Sequence, residues 1–260
     1  MKRSLYAAAF AALFFTACSK DEATVNSDTR APLTIEFDNI VGGQNLQLNT
    51  GTYTNASGED FKVTTLKYYV SNIKLTKTDG SVYTVPQDSS YFLIQEGGND
   101  EAAINLPEGD YKTLTFTLGV DSLRSTKDLS QRTGALDPTT SDMYWSWNSG
   151  YIFFKMEGTS SFAPASGQNK YYYHIGGFGG YSSVTINNIK TITLDLTTGG
   201  IAKVRSGRTP NLHLMADISK MFTGTTNVSI AANSMVMFSN YSVNIANNYA
   251  SMFRHDHTEN

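Results

Sequence analysis

The chain of 260 residues carries 20 Lys+Arg against 23 Asp+Glu, with 40% hydrophobic, 12% aromatic and 17% charged residues. A formal net charge of -3 lacks the basic footprint that phosphate neutralisation demands, so nucleic acid is not an expected partner. A single Cys excludes an internal disulfide framework, a CxxC redox pair, a Cys-rich zinc site and a CxxCH haem attachment, leaving His, carboxylate or Met to hold any metal.

Lys2 and Arg3 precede an apolar run from Leu5 to Phe15, too short to span a bilayer permanently, which ends in Phe15-Thr16-Ala17-Cys18. This pattern predicts a signal peptide over residues 1–17. Small residues before Cys18 would admit a lipoprotein signal peptidase, making Cys18 the expected lipidation site and membrane anchor. An ordinary signal peptide with a chance Cys is the alternative. Ser19-Lys20-Asp21-Glu22 resembles the acidic export signal by which Bacteroidota send lipoproteins to the outer face of the outer membrane. Loss of residues 1–17 leaves 18 Lys+Arg against 23 Asp+Glu, a formal charge of −5. Residues 18–31 then read as a polar tether and 32–260 as one folded domain, starting near Leu33.

Thr, Ser and Asn fill 76 positions, and 15 Tyr and 14 Phe join them, a mixture that favours pleated strands and turns. From Leu33 onward, short alternating stretches are separated by Gly, Asn and Asp. Strands are predicted at Leu33–Phe37, Leu46–Leu48, Tyr68–Lys77, Ser81–Val85, Tyr91–Gln95 and Tyr111–Leu118. Asp79-Gly80 suits a tight hairpin because both residues tolerate positive φ. Residues 119–142, charged and poor in apolar side chains, read as a long loop or short helix across the sheet. Further strands are predicted at Tyr151–Glu157, Tyr171–Ile175, Val184–Leu196 and Leu212–Ala216, with a short helix over Ile245–Phe253. The fold class is all-β: an antiparallel β-sandwich-like domain with long loops and one or two short helices.

Four histidines are present: His174, His213, His255 and His257. With no G-x-S-x-G or comparable nucleophile turn, an enzyme is not expected. Gly176-Gly177-Phe178-Gly179-Gly180 lacks a Walker lysine and is not a phosphate cradle; close backbone approach at a loop is an equal reading of these glycines. Trp145 and Trp147, two apart, would share one face of a strand, as core packing or as a platform for a sugar ring. Met235 and Met237 form an M-x-M pair that could bind Cu(I) but reads better as core. Asp121, Asp137 and Asp142 are a lesser calcium possibility without an EF-hand register.

Taken in order, Leu66-Lys67-Tyr68-Tyr69-Val70-Ser71-Asn72-Ile73, Gly119-Val120-Asp121, Gly134-Ala135-Leu136-Asp137-Pro138, Met143 through Tyr151, Lys155-Met156-Glu157-Gly158 and His174-Ile175-Gly176-Gly177 resemble the signature of the MbnP-like family. The similarity spans about residues 33–257. That family is similar to periplasmic and surface copper-binding proteins of methanobactin-associated or copper-repressed operons, with lipoprotein members in Bacteroidota. The resemblance implies copper held by histidines together with a tryptophan oxidised to kynurenine by a partner dihaem enzyme of the peroxidase type. An indole is a poor ligand because its nitrogen lone pair belongs to the ring system, whereas ring opening exposes an amine that can donate. By motif match Trp145 and Trp147 are the modification candidates, and His174, then His213 and His257, the metal ligands.

The chain departs from that pattern at Phe37-Asp38-Asn39, where relatives often carry His; Asn39 is a much weaker copper ligand. His213 alternates within Asn211-Leu212-His213-Leu214 and could equally be a satisfied strand histidine, and His255 reads as solvent-facing. The expected function is a cell-envelope copper-handling lipoprotein, with a metal-free surface glycan- or protein-binding module as the alternative.

Overall fold

The computed structural model describes residues 25–147 and 150–260. The predicted signal peptide, Cys18 and the start of the tether lie outside them. The first half holds β1 (Arg30–Val41), β2 (Gln44–Asn45), β3 (Tyr53–Thr54), β4 (Asp60–Lys77), β5 (Val82–Thr84), β6 (Tyr91–Gln95), β7 (Glu101–Pro107) and β8 (Gly109–Leu118). A one-turn helix α1 (Ser122–Ser125) opens the predicted long loop, followed by β9 (Tyr144–Trp145), β10 (Gly150–Thr159), β11 (Lys170–Gly176), β12 (Lys190–Asp195) and β13 (Ala202–Val204). β14 (Asn211–Asp217), β15 (Met235–Val236), α2 (Ser242–Tyr249) and β16 (Phe253–Glu259) complete the chain.

Two sheets face one another. The smaller runs β16-β14-β1-β2, with β7 also paired to β1; the larger follows β12-β8-β4-β10-β11-β15, with short strands added along it. In β1 the alternation foreseen from sequence sends Leu33, Ile35 and Phe37 inward. Phe37 meets Tyr68, Phe116 and Phe253 edge-on at 6.1, 5.8 and 6.2 Å between ring centroids, a geometry that the ring quadrupole favours. At Tyr68–Val70 of β4 and Tyr151–Phe154 of β10 both faces are buried, and there the sequence is apolar at consecutive positions. Tyr68, Phe154 and Met156 face the main core, whereas Tyr69, Tyr151 and Phe153 face a second cluster beneath the loop.

The hairpin at Asp79-Gly80 forms as predicted. Gly80 takes φ +90°, and the Asp79 carboxylate accepts the Ser81 backbone N–H at 2.8 Å. The domain starts slightly earlier than expected: β1 begins at Arg30, and the Asn26 N–H donates to Glu108 at 2.8 Å. Pairing is not wholly antiparallel, since β1 runs parallel to β14 and β11 to β15. Between residues 184 and 189 the chain is not a strand, and β12 starts only at Lys190. Glycines at 177 and 180 serve close approach there: a Cβ on Gly180 would lie 1.9 Å from the Ser183 carbonyl oxygen. Two longer strands were not foreseen, β7 and the C-terminal β16, nor were the short β3, β9, β13 and β15, and the strand expected at Leu46–Leu48 is replaced by the two-residue β2 just before it. No helix among the described residues is long and apolar enough to cross a membrane.

Candidate metal centre

On β14 the burial alternates strictly, with Leu212, Leu214 and Ala216 inward and Asn211, His213, Met215 and Asp217 outward. On one side of His213 lies Glu36 of β1; on the other lies His257 of β16. The β14–β16 register jumps after this pair: His213 stands opposite His257, but Leu214 stands opposite His255. Asp256 is therefore the extra residue of a β-bulge, a device that re-aims side chains at sheet edges. It brings Asp256 beside both imidazoles, although an unbroken strand would send residues 256 and 257 to opposite faces.

The geometry is compact. The two imidazole rings lie 4.9 Å apart between centroids, tilted by 40°. Asp256 Oδ2 is 2.9 Å from His257 Nδ1 and 3.9 Å from His213 Nδ1, while Glu36 Oε1 lies 3.4 Å from His213 Nε2. One ligand atom from each of His213, Asp256 and His257 falls within 4.8 Å of the others. Glu36 is steadied by the Asn211 amide, which donates at 2.6 Å. His213 Nδ1 is buried without a hydrogen-bond partner, the mark of a donor atom with coordination capacity to spare. Asp256, hydrogen-bonded to His257 and to Arg254, is held below the usual carboxylate range. It in turn raises the His257 imidazole, with Glu259 adding to the effect. Two imidazoles and a carboxylate suit a borderline divalent ion, and among first-row metals such a set favours copper(II) most.

The other expected ligands lie elsewhere. His174, on β11 of the larger sheet, meets Glu157 Oε1 through Nε2 at 2.7 Å. From there a chain of charges crosses the sheet. Lys155 Nζ lies 3.5 Å from Glu157 and 2.8 Å from Asp142, and Asp142 reaches Lys67 at 2.9 Å. Burial draws the His174 imidazole below its ordinary value, and the Glu157 contact only partly opposes this. Thus the structure brings His213 and His257 together and leaves His174 on the other sheet. His255, expected to face solvent, is half-buried near Gly199 with Nε2 2.9 Å from Thr258 Oγ1.

The tryptophans divide. Trp145 on β9 is 5% exposed and Trp147 is 64% exposed, their rings 5.4 Å apart. Phe238 packs edge-on to Trp145 at 6.2 Å, and the Trp145 Nε1 is buried without a partner. A cavity of about 490 Å³ lies alongside, lined by Phe238, Phe178, Arg132 and several hydroxyls of the 182–185 loop. Asn39 is fully engaged, donating to Glu96 at 3.0 Å and accepting from the Tyr68 hydroxyl at 3.0 Å. The calcium possibility fails on geometry. Asp121 caps α1, Asp137 binds the Thr139 N–H at 2.8 Å, and Asp142 pairs with two lysines. Met235 is exposed, whereas Met237 packs against the second cluster.

Sequence reasoning missed Asp256 and Glu36. The run His255-Asp256-His257 was the available signal, yet only the bulge makes its last two members neighbours.

Two facing β-sheets define an all-β protein, and an imidazole pair and a carboxylate on a bulged edge give its surface a donor cluster with the spacing to hold a metal ion. The chain belongs to the MbnP family, whose model matches residues 30–240. A solved structure, MbnP from Methylosinus trichosporium, shares the fold with a TM-score of 0.55 over 82% of each chain at 16% identity. No curated protein sequence matches the chain. β16, with Asp256 and His257, lies beyond the family match.

Proposed function

We propose that this protein is a cell-envelope copper-handling lipoprotein, anchored through Cys18 to the outer membrane, that binds copper(II) through His213, His257 and Asp256, with Glu36 alongside. The observation that carries this reading is the convergence of Asp256 and His257 on the side of a buried, unpartnered His213 Nδ1, with Glu36 at Nε2 of the same ring. Association of the family with copper supports the choice of ion. When bound, copper would supply a redox-active Lewis acid. The protein's part is to hold two imidazoles and a carboxylate at fixed spacing on paired strands. No catalytic step is assigned to the chain.

Oxidation of a tryptophan by a dihaem peroxidase-type partner belongs to the same reading. Trp147 is the member of the pair that an enzyme can reach, and Trp145 lies against it with the rings tilted by 42°. In this fold the pair has Phe238 for a neighbour and lies on a different sheet from His213. A modified tryptophan and the His213 cluster would therefore be two separate places on the molecule.

The test is a copper(II) titration with quantitative metal analysis of wild type, His213→Ala and His257→Ala. Wild type should retain one ion per chain, and each variant should weaken binding by about 10- to 100-fold or more. Retention by both variants equal to wild type overturns the assignment. Peptide mass analysis of protein made with its native partner tests for a changed Trp145 or Trp147. The alternative reading, a metal-free module for sugar rings, draws on the exposure of Trp147 beside the cavity. It predicts glycan binding that Trp147→Ala abolishes.

A further inference from the structure

The outward face around the cluster is a small grid. One row holds Glu36, His213 and His257 on β1, β14 and β16; the next holds Asp38, Met215 and Arg254. Four of the outward positions on β1 and β14, Glu36, Asp38, His213 and Asp217, are polar and partly exposed, and Met215 among them is not polar. A thioether on a solvated, charged face gains little from burial, unlike the core methionines Met156 and Met221. Its place is specific, for His213 and Met215 are two apart on one strand and so share a face. Their Cα atoms are separated by about 7 Å of strand rise. Side chains with the reach of methionine, three rotatable bonds ending in a soft sulfur, and of imidazole can meet on one ion across that span.

We propose that Met215 is a soft donor belonging to this cluster, and that with His213 and His257 it forms a second donor set fitted to copper(I). The proposal rests on the copper reading above and deepens it. Copper(II) is matched by the imidazoles with the Asp256 carboxylate, whereas copper(I) is matched by the same imidazoles with the thioether. Carboxylates have little affinity for the softer ion. The two oxidation states would share His213 and differ in the neighbour recruited, Asp256 across the strand pair or Met215 along the strand. This face of the smaller sheet is then able to receive copper in either form rather than in one.

The experiment compares wild type, Met215→Leu and His213→Ala in two arms. One arm is anaerobic competition for copper(I) against bicinchoninate; the other is copper(II) titration followed by electron paramagnetic resonance. Met215→Leu conserves volume on a half-exposed position, and thermal melts confirm that it folds. Copper(I) affinity should fall by at least the roughly tenfold that loss of even an indirect partner costs, while copper(II) affinity stays at the wild-type value. X-ray absorption of the copper(I) form should show a copper–sulfur distance in wild type that Met215→Leu lacks. Equal copper(I) affinity in wild type and Met215→Leu overturns the proposal, as does copper(I) binding with no sulfur neighbour. Wild type that binds copper(II) but not copper(I) overturns it too and leaves the copper(II) reading standing. Failure to bind either ion removes both.

Discussion

Gly176 lies directly beneath the indole of Trp145: a Cβ built there would come 2.8 Å from Cζ3 of the ring and 2.2 Å from the carbonyl oxygen of Tyr151. The backbone contact leaves little room for adjustment. Gly176→Ala should therefore destabilise the domain by about 1–3 kcal/mol or more, through overpacking. Thermal denaturation measures the loss, and tryptophan emission should shift as Trp145 is displaced; an unchanged melting point would show that β9 moves freely.

The two tryptophans should respond unequally to truncation. Trp145→Ala empties a packed site and should cost about 3–5 kcal/mol. Trp147→Ala, on the exposed ring, should stay within about 0.5 kcal/mol of wild type. Urea unfolding separates the two, and acrylamide should quench the Trp147 emission selectively.

Acid should loosen the charge chain on the larger sheet. Burial alone would raise the Asp142 carboxyl, but hydrogen bonds and charges from Lys155 and Lys67 outweigh it and bring it down to about 2. Because the folded value lies below the unfolded one, its stabilisation is complete above about pH 4 and is lost as pH falls towards 2. Asp142→Asn should be less stable than wild type at pH 7, and the gap should close on acidification. A gap of constant size from pH 7 to pH 2 would contradict this.

Glu59 ties the start of β4 to a distant loop. Its carboxylate accepts the Ile230 and Ala231 backbone N–H groups at 2.6 and 3.0 Å and the Ser229 hydroxyl at 2.7 Å. Glu59→Ala leaves those buried donors unanswered and should cost roughly 3 kcal/mol, read by denaturant midpoint.

Local chemistry made much of this fold legible. The Asp79-Gly80 turn and the alternation of β1 and β14 each announce their structure over a few residues. β16 escaped notice because Arg254-His255-Asp256-His257 is polar throughout and broken by a bulge, as suits an exposed edge strand. The parallel pairing of β1 with β14 joins segments far apart in the chain, and no local pattern encodes it. The same limit applies to the candidate site. His213 and His257 were nameable from sequence, but Asp256 and Glu36 became their partners only through register, and His174 proved to serve a separate ion-pair network.

β16 is the outer strand of its sheet, paired only to β14, and the last element among the described residues. An ion held between β16 and β14 would act as a clasp on that outer strand, favouring the closed state by mass action. Without it, the final strand should be the segment most prone to fray. Limited proteolysis within β16 should accordingly run faster on metal-free protein, and a molecule nicked after Phe253 would have forfeited its grip on copper while the core aromatic at that position stayed in place.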